Sequence, residues 1–437
     1  MEGFVVSLVI FTAIFTLFGL GLNLQWGYTG LINFGHVAFM TIGAYTTVLL
    51  SLRGVPLWLA AIIGAVAASL LGLLIGFSTL RLREDYLAIV TIGVSEMLRL
   101  VAINEEEVTR GTFGLQGFPL PLEDLNPNGF VRLLMMALLT VVIGLAYWQG
   151  FRWLRQVWKQ SPTSELLSSS RVALGYILSL VLAVVGVGFL SSQLKAGEVL
   201  PPWVLGALLL AACVGIVLLF VWLGDRATKR IAGWTTGLSI VIAMIAGLVG
   251  IWAFGYSLTA LYHYNDNPSK NGLMLLSVLL VALVFLGLDR LVRSPWGRVI
   301  KAIREDEEVA RALGKNVFAY KLQSLMLGGF LAGLAGALYS WQLTTVYPDN
   351  FRPLVTFNAW TIVVLGGAGS NLGTLLGASI FWAYDTITRF VLRDIVPLED
   401  ARLGAFRVMI IGLILMVLMI WRPQGMLGKK EELTLGR

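Results

Sequence analysis

Two glycine-interrupted stretches in this 437-residue chain hold residue types suited to binding chemistry. In the first, Gly27, Gly30 and Gly35 stand among Asn23, Gln25, Tyr28, Thr29, Asn33 and His36. The second is the run 366–373, with Gly367, Gly369 and Ser370. A helix broken at glycine leaves backbone NH and carbonyl groups unpaired, and the positive N-terminal end of a half-helix attracts an anionic group. The chemistry on offer is non-covalent capture of a zwitterion. Asn33, Gly35, His36, Gly367, Gly369 and Ser370 are therefore expected to line or shape a path. Close packing through small residues competes with that reading. From Gly27 to His36 both stay open; for Gly43, Ala44 and Gly328 through Gly336 packing is preferred.

Glu96 and Arg99 form a third group. They lie three apart in the apolar run 86–103 and so share a helix face. Ionisable residues at membrane depth are costly and mark pathways by default. With a partner at hand, a pair that locks this helix to a neighbour is the preferred reading. A fourth group is the charged run 294–321. Ser294 suits an N-cap, Pro295 the first helical position and Gly314 a left-handed C-terminal position. Val299, Ile303, Ala310 and Leu313 recur at helical spacing. The spacing predicts one amphipathic helix, 295–313, presenting Lys301, Arg304, Glu305, Glu308 and Arg311 to water or a partner.

Other chemistries find little support. There is one cysteine, Cys213, and two histidines, His36 and His263, which argues against a disulfide framework or a metal site. No GxxxxGK[ST] phosphate loop occurs, and no nucleophile–base constellation is visible. No cofactor, no metal and no enzymatic activity are expected. The net charge of +7 comes from basic residues in short loops, so nucleic acid is not an expected partner.

The elements that must position these groups are membrane helices. Hydrophobic residues make up 57% of the chain and charged residues only 13%, against about 25% in soluble domains. An all-α polytopic membrane protein follows. Apolar runs predict eleven spans, near 4–22, 28–50, 57–80, 86–103, 131–149, 172–190, 203–223, 235–255, 272–288, 321–341 and 404–421. Residues 356–388 predict a re-entrant pair or broken helix, because the piece before the glycines is too short to cross about 30 Å. Most Lys and Arg residues fall in loops 81–85, 150–171, 224–234, 289–321 and the tail, which are thereby predicted to be cytoplasmic. Glu2 stands where a cleavable signal would be basic, so none is expected. Trp58, Trp203, Trp252 and Trp421 near span ends fit an aromatic belt.

Several stretches resemble the branched-chain amino acid permease family of bacterial ABC importers, in its LivM-like branch. SPWGRVIKAIREDEEVARALG, residues 294–314, resembles that family's "EAA…G" loop, with Glu308, Ala310 and Gly314 at its first, third and seventh positions and Val309 replacing the second alanine. LGGFLAGLAGALYS (327–340), LNLQWGYTGLINFGHVAFMTIGAYTT (22–47) and REDYLAIVTIGVSEMLRLVAINEEEVTRGTFGLQGFP (83–119) are similar to it as well. In the last, Arg110-Gly111 stands where the family has Gly-Gly. The resemblance implies a permease subunit that moves branched-chain or other neutral amino acids. Its implied partners are cytoplasmic ATPase subunits, a second permease or a copy of itself, and an extracytoplasmic binding protein. Arg304, Glu305, Glu308, Ala310 and Gly314 would couple it to the ATPase. Urea or short amides are alternative substrates, and an ion-coupled carrier is the alternative of a different class. The resemblance is expected over about two thirds of the chain, with core segments 1–125 and 260–425, an inserted region 126–259 holding four extra spans, and a tail 426–437.

Overall fold

The Ala/Gly-rich helix Val317–Leu343 is the one that the other core helices surround. The computed structural model describes residues 2–80, 84–160 and 234–395, with scattered positions from 404 to 427. In chain order the helices are α1 (Glu2–Leu22), α2 (Val37–Leu52), α3 (Leu57–Thr79), α4 (Glu84–Asn104), α5 (Glu106–Thr109), α6 (Gly129–Gln160), α7 (Trp234–Tyr262), α8 (Pro268–Arg293), α9 (Pro295–Glu305), α10 (Glu307–Ala312), α11 (Val317–Leu343), α12 (Leu354–Gly366) and α13 (Asn371–Ile395). The two short strands β1 (Leu115–Gln116) and β2 (Thr345–Val346) pair antiparallel, Leu115 opposite Val346. The all-α class stands.

Among the described residues seven helices are long and apolar enough to cross a membrane, or eight if the bent pair Pro348–Gly366 and Asn371–Thr386 counts as one span. The predicted spans 172–190 and 203–223 lie outside the described residues, as does most of 404–421. The pair 356–388 is broken as expected, with a bend of 118° between its halves. The first two spans differ from their predicted limits. α1 runs on through a π-helical turn, Asn23–Tyr28, so that the first span reaches Tyr28. The second helix begins at Val37 rather than residue 28 and has 16 residues, about 24 Å of rise. Side chains prevent helix between them: Asn33 Oδ1 accepts from Gly35 N at 3.0 Å, and Gly30 sits at φ +82. A local side-chain acceptor offers the backbone an alternative to the helical ladder.

α11 packs on α1, α2 and α3. The small residues of these helices let backbones touch. A Cβ at Gly43 would lie 2.3 Å from Gly333 O, and one at Gly336 would lie 2.2 Å from Met40 O. Without a hydrophobic drive between helices in lipid, such close approach supplies the attraction. The packing reading of these glycines is therefore the structural one.

The chain divides into two compact units, Met1–Leu145 with Ile251–Ser379 and Leu427–Arg437, and Ala146–Gly250 with Ile380–Met426. The first brings the early and late parts of the chain into one body, and every candidate site residue falls in it. In the second, Tyr147 OH donates to Gly247 O, and Asp385 pairs with Arg389 at 2.9 Å and Arg407 at 3.5 Å.

Candidate functional site

The two glycine-rich interruptions meet. Asn23, in the π turn, accepts from Gly369 N at 2.9 Å and donates to Asn371 Oδ1 at 3.4 Å. Gly27 allows that approach: a Cβ there would lie 2.5 Å from Gly369 N. Trp360 Nε1 donates to Asn33 O at 3.0 Å, and Val37 N donates to Thr356 Oγ1 at 2.9 Å. α12 is thereby stitched along residues 33–37. Its return into α13 is equally close, since a Cβ at Gly366 would fall 2.0 Å from Gly373 O.

A second set of polar groups ties the break to α11. Gln25 Nε2 donates to Leu325 O at 3.1 Å, and its Oε1 accepts from Asn33 Nδ2 at 2.9 Å. Thr29 Oγ1 and Ser324 Oγ lie 2.7 Å apart, and both reach Leu24 O. Asn23, Gln25, Asn33 and Ser324 are fully buried. In an apolar interior each such group left unpaired costs about 1–3 kcal/mol, so this web holds a non-helical backbone at membrane depth.

The sequence reading expected these breaks to offer unpaired backbone groups. The structure pairs Gly35 N, Gly369 N and Asn33 O with side chains of the chain itself. Asn33, Gly35 and His36 are buried. Gly35 is pressed on α4, where a Cβ would fall 1.8 Å from Thr91 O. His36 stacks on Phe18 at 4.6 Å with Nε2 3.2 Å from Phe18 O, and its Nδ1 has no hydrogen-bond partner among the described residues. Gly367 and Gly369 adopt φ +109 and +79, which only glycine takes without strain, and Ser370 Oγ accepts from Gly373 N at 3.0 Å. The partly exposed face beside them is aromatic. Trp26 and Trp360 lie 4.4 Å apart, Phe34 and Trp360 5.0 Å, and Phe34 and Phe357 5.7 Å. Sequence reasoning missed Ser324, Thr356, Trp360 and Asn371; lone polar residues inside predicted spans were the available signal.

The charged run folds as two helices, not the single helix 295–313. Asp306 has extended backbone, φ −156 and ψ 109, and its carboxylate accepts from Glu308 N at 2.9 Å and Val309 N at 3.0 Å. A carboxylate that caps a new helix ends the previous one. The outer limits hold: Ser294 Oγ accepts from Gly297 N, and Gly314 sits at φ +76. There Lys315 N donates to Ala310 O and Gly314 N to Arg311 O, which closes α10 in a Schellman motif. Ala310 packs with Ile303 and Val317 in a small core. Glu305 and Glu308 are exposed, while Arg304 turns inward and donates to Gly27 O. Val309 and Leu313, 55% and 72% exposed, give the turn an apolar tip. Glu307 joins α10 to α11 by accepting from Lys321 at 2.6 Å, and Lys321 is otherwise enclosed.

Glu96 and Arg99 pair at 2.5 Å, as the three-residue spacing suggested. Arg99 also holds Asp349 at 3.0 Å, in the turn before α12, and Asp349 pairs with Arg352 at 2.8 Å. Arg99 thus ties α4 to the turn before α12. The loop after α4 is pinned to the same segment by β1 and β2 and by Gln116 Nε2 donating to Tyr347 OH. Arg110 stands in this loop at φ +59.

A family model described as the permease component of branched-chain amino acid transport systems matches residues 4–152 and 129–419. The chain belongs to this family. Among individual relatives, this permease-family chain is 27% identical to the high-affinity branched-chain amino acid transport system permease protein LivM of Escherichia coli K12, over 97% of this chain and 69% of the relative. The LivM protein of Salmonella typhimurium LT2 is 26% identical over the same shares. A probable LivM protein of Methanocaldococcus jannaschii is 29% identical over 36% of this chain and 47% of the relative. No solved structure matches this permease-family member. The similarity is thus wider than the two thirds expected, because the two enteric relatives align through region 126–259.

Proposed function

We propose that this chain is the transmembrane permease subunit of an ABC importer for branched-chain or other neutral amino acids, a multi-pass protein of the bacterial cytoplasmic membrane. The observation that carries the reading is similarity to LivM proteins along 97% of the chain. In this reading the subunit has no ATP site of its own. It works with cytoplasmic ATPase subunits, a second permease or another copy of this chain, and an extracytoplasmic binding protein. Residues 1–125 and 260–425 carry the candidate path and the docking element, 126–259 is a region through which the LivM relatives also align, and 426–437 is a tail on the cytoplasmic side.

The aromatic face of Trp26, Phe34, Phe357 and Trp360 suits an aliphatic side chain in transit. Asn33, Gly35, His36, Gly367, Gly369 and Ser370 shape the path from behind that face by fixing both breaks. α9 and α10 form the cytoplasmic docking element. Glu305 and Glu308 supply its negative charge, Val309 and Leu313 its apolar tip, and Ala310 and Gly314 its turn.

The test is uptake of labelled leucine by cells that lack their own branched-chain permease and receive this chain with its ATPase and binding protein. Uptake that requires ATP and the binding protein supports the importer. Uptake by the chain alone in liposomes under a proton or sodium gradient would replace it with an ion-coupled carrier.

A further inference from the structure

The wide turn Asn23–Tyr28 frees one carbonyl. In an α-helix Leu31 N would donate to Gly27 O. Here Leu31 N donates instead to Gln25 O, and Gly30 N to Trp26 O, each at 2.9 Å. The guanidinium of Arg304 takes the Gly27 oxygen left over. Arg304 stands on α9, one turn after Lys301, whose ammonium lies 5.5 Å from the centre of the Tyr28 ring. Gly30 seats the chain against that arginine: a Cβ at Gly30 would lie 3.5 Å from Arg304 Cγ and 3.8 Å from its Cβ. Two neighbouring cations of the docking element therefore rest on the break of the first span.

We propose that Arg304 is a positioning residue that ties α9 directly to this break, so that movement of α9 reaches the path through Gly27 as well as along the chain into α11. The proposal rests on the permease reading above. A charged donor on a carbonyl makes a stronger bond than a neutral one. If α9 moved away alone, the carbonyl of the buried Gly27 would lose this partner, which is costly unless another donor replaces it. Two arrangements avoid that cost. Either the break travels with α9, or Leu31 N returns to Gly27 O and the π turn tightens to an α turn. Tightening re-aims the residues that follow, Ile32 to His36, which pack against α12 and α4. The latch thus has two discrete states, as a coupling device requires.

The experiment uses the purified complex of this chain with its ATPase and partner permease, in a Cys213→Ser background. Cysteines at Gly30→Cys and Arg304→Cys meet the Cβ separation of about 3.8 Å that a disulfide needs. Oxidation with copper phenanthroline should cross-link them without nucleotide, which tests that α9 rests on the break. In parallel, Arg304→Ala should lower the amount of leucine moved per ATP hydrolysed about tenfold, with the ATPase still bound. Arg304→Lys should recover part of that ratio, since it keeps one charged donor. Failure of the pair to cross-link without nucleotide, or a normal transport ratio in Arg304→Ala, would overturn the latch. Loss of the ATPase from Arg304→Ala would also overturn it, by making Arg304 a docking residue. If the unmodified chain retains no ATPase at all, the permease reading itself fails, and the control purification shows this before any variant is made.

Discussion

Asn23 holds the turn 366–373 with both ends of one side chain, because its oxygen takes the Gly369 NH and its nitrogen reaches Asn371. Asn23→Leu keeps the size and removes both bonds. The lost pairing should cost about 1–3 kcal/mol. A lower melting temperature of the detergent-purified chain, together with reduced leucine uptake, would show it. Gly35 is a tighter case. With Thr91 O only 1.8 Å from the position of a Cβ, even Gly35→Ala must push α4 away. We expect loss of folded protein on size-exclusion chromatography, not a well-folded chain with impaired transport. Arg110 gives the opposite sign. It holds φ +59, a conformation that costs a side-chain-bearing residue about 1 kcal/mol and glycine little. Arg110→Gly should therefore raise the melting temperature, and a fall would mean that its charge has a stabilising partner.

The two-helix charged segment, α9 with α10, depends on a few local devices. Glu307 and Glu308 are adjacent acids with different work. Glu307 holds the enclosed Lys321, whereas Glu308 is exposed. Glu307→Gln should loosen the α10–α11 junction by about 1–3 kcal/mol, with the solvent-facing side of Glu307 keeping the figure modest. Glu308→Gln should leave the melting temperature within about 0.5 kcal/mol equivalent and weaken retention of the ATPase on purification. Equal effects of the two changes on stability would contradict the division. Gly314 has open space around it, so Gly314→Val strains only the backbone, at φ +76. Such strain costs about 1–3 kcal/mol, and it should reduce transport and substrate-stimulated ATP hydrolysis together while the chain stays in the membrane.

At the scale of the molecule, the fold gathers α1 and α11, three hundred residues apart in sequence, around one polar web. The basic loops predict the sidedness. With Cys213 replaced by serine, cysteines at Asn128 and Asn265 should react with an impermeant thiol reagent from outside, and one at Glu308 should not. The pairing of Asn265 Nδ2 with Asn126 Oδ1 at 3.0 Å already puts the loops before α6 and after α7 together, so mixed labelling of Asn128 and Asn265 would contradict the fold as well as the orientation.

Composition alone determined the class of this protein, because 57% hydrophobic residues with few charges leave helices as the economical way to satisfy the backbone in lipid. Local chemistry fixed the N-cap at Ser294, the left-handed Gly314, the Glu96–Arg99 pair and the break at 366–373, since each depends on residues within a few positions of one another. The start of α2 at Val37 was not legible in this way. An apolar run around Gly30 and Gly35 reads as continuous span, and contacts with Thr91, Trp360 and Thr356 join the local Asn33–Gly35 bond in keeping it out of a helix. The break at Asp306 was hidden for a different reason, as an acid amid acids and bases fits an exposed helix face as well as an N-cap. What the glycine stretches do was decided by tertiary structure. Their backbone groups are claimed by Asn23, Trp360 and Arg304, residues brought there by helices distant in sequence.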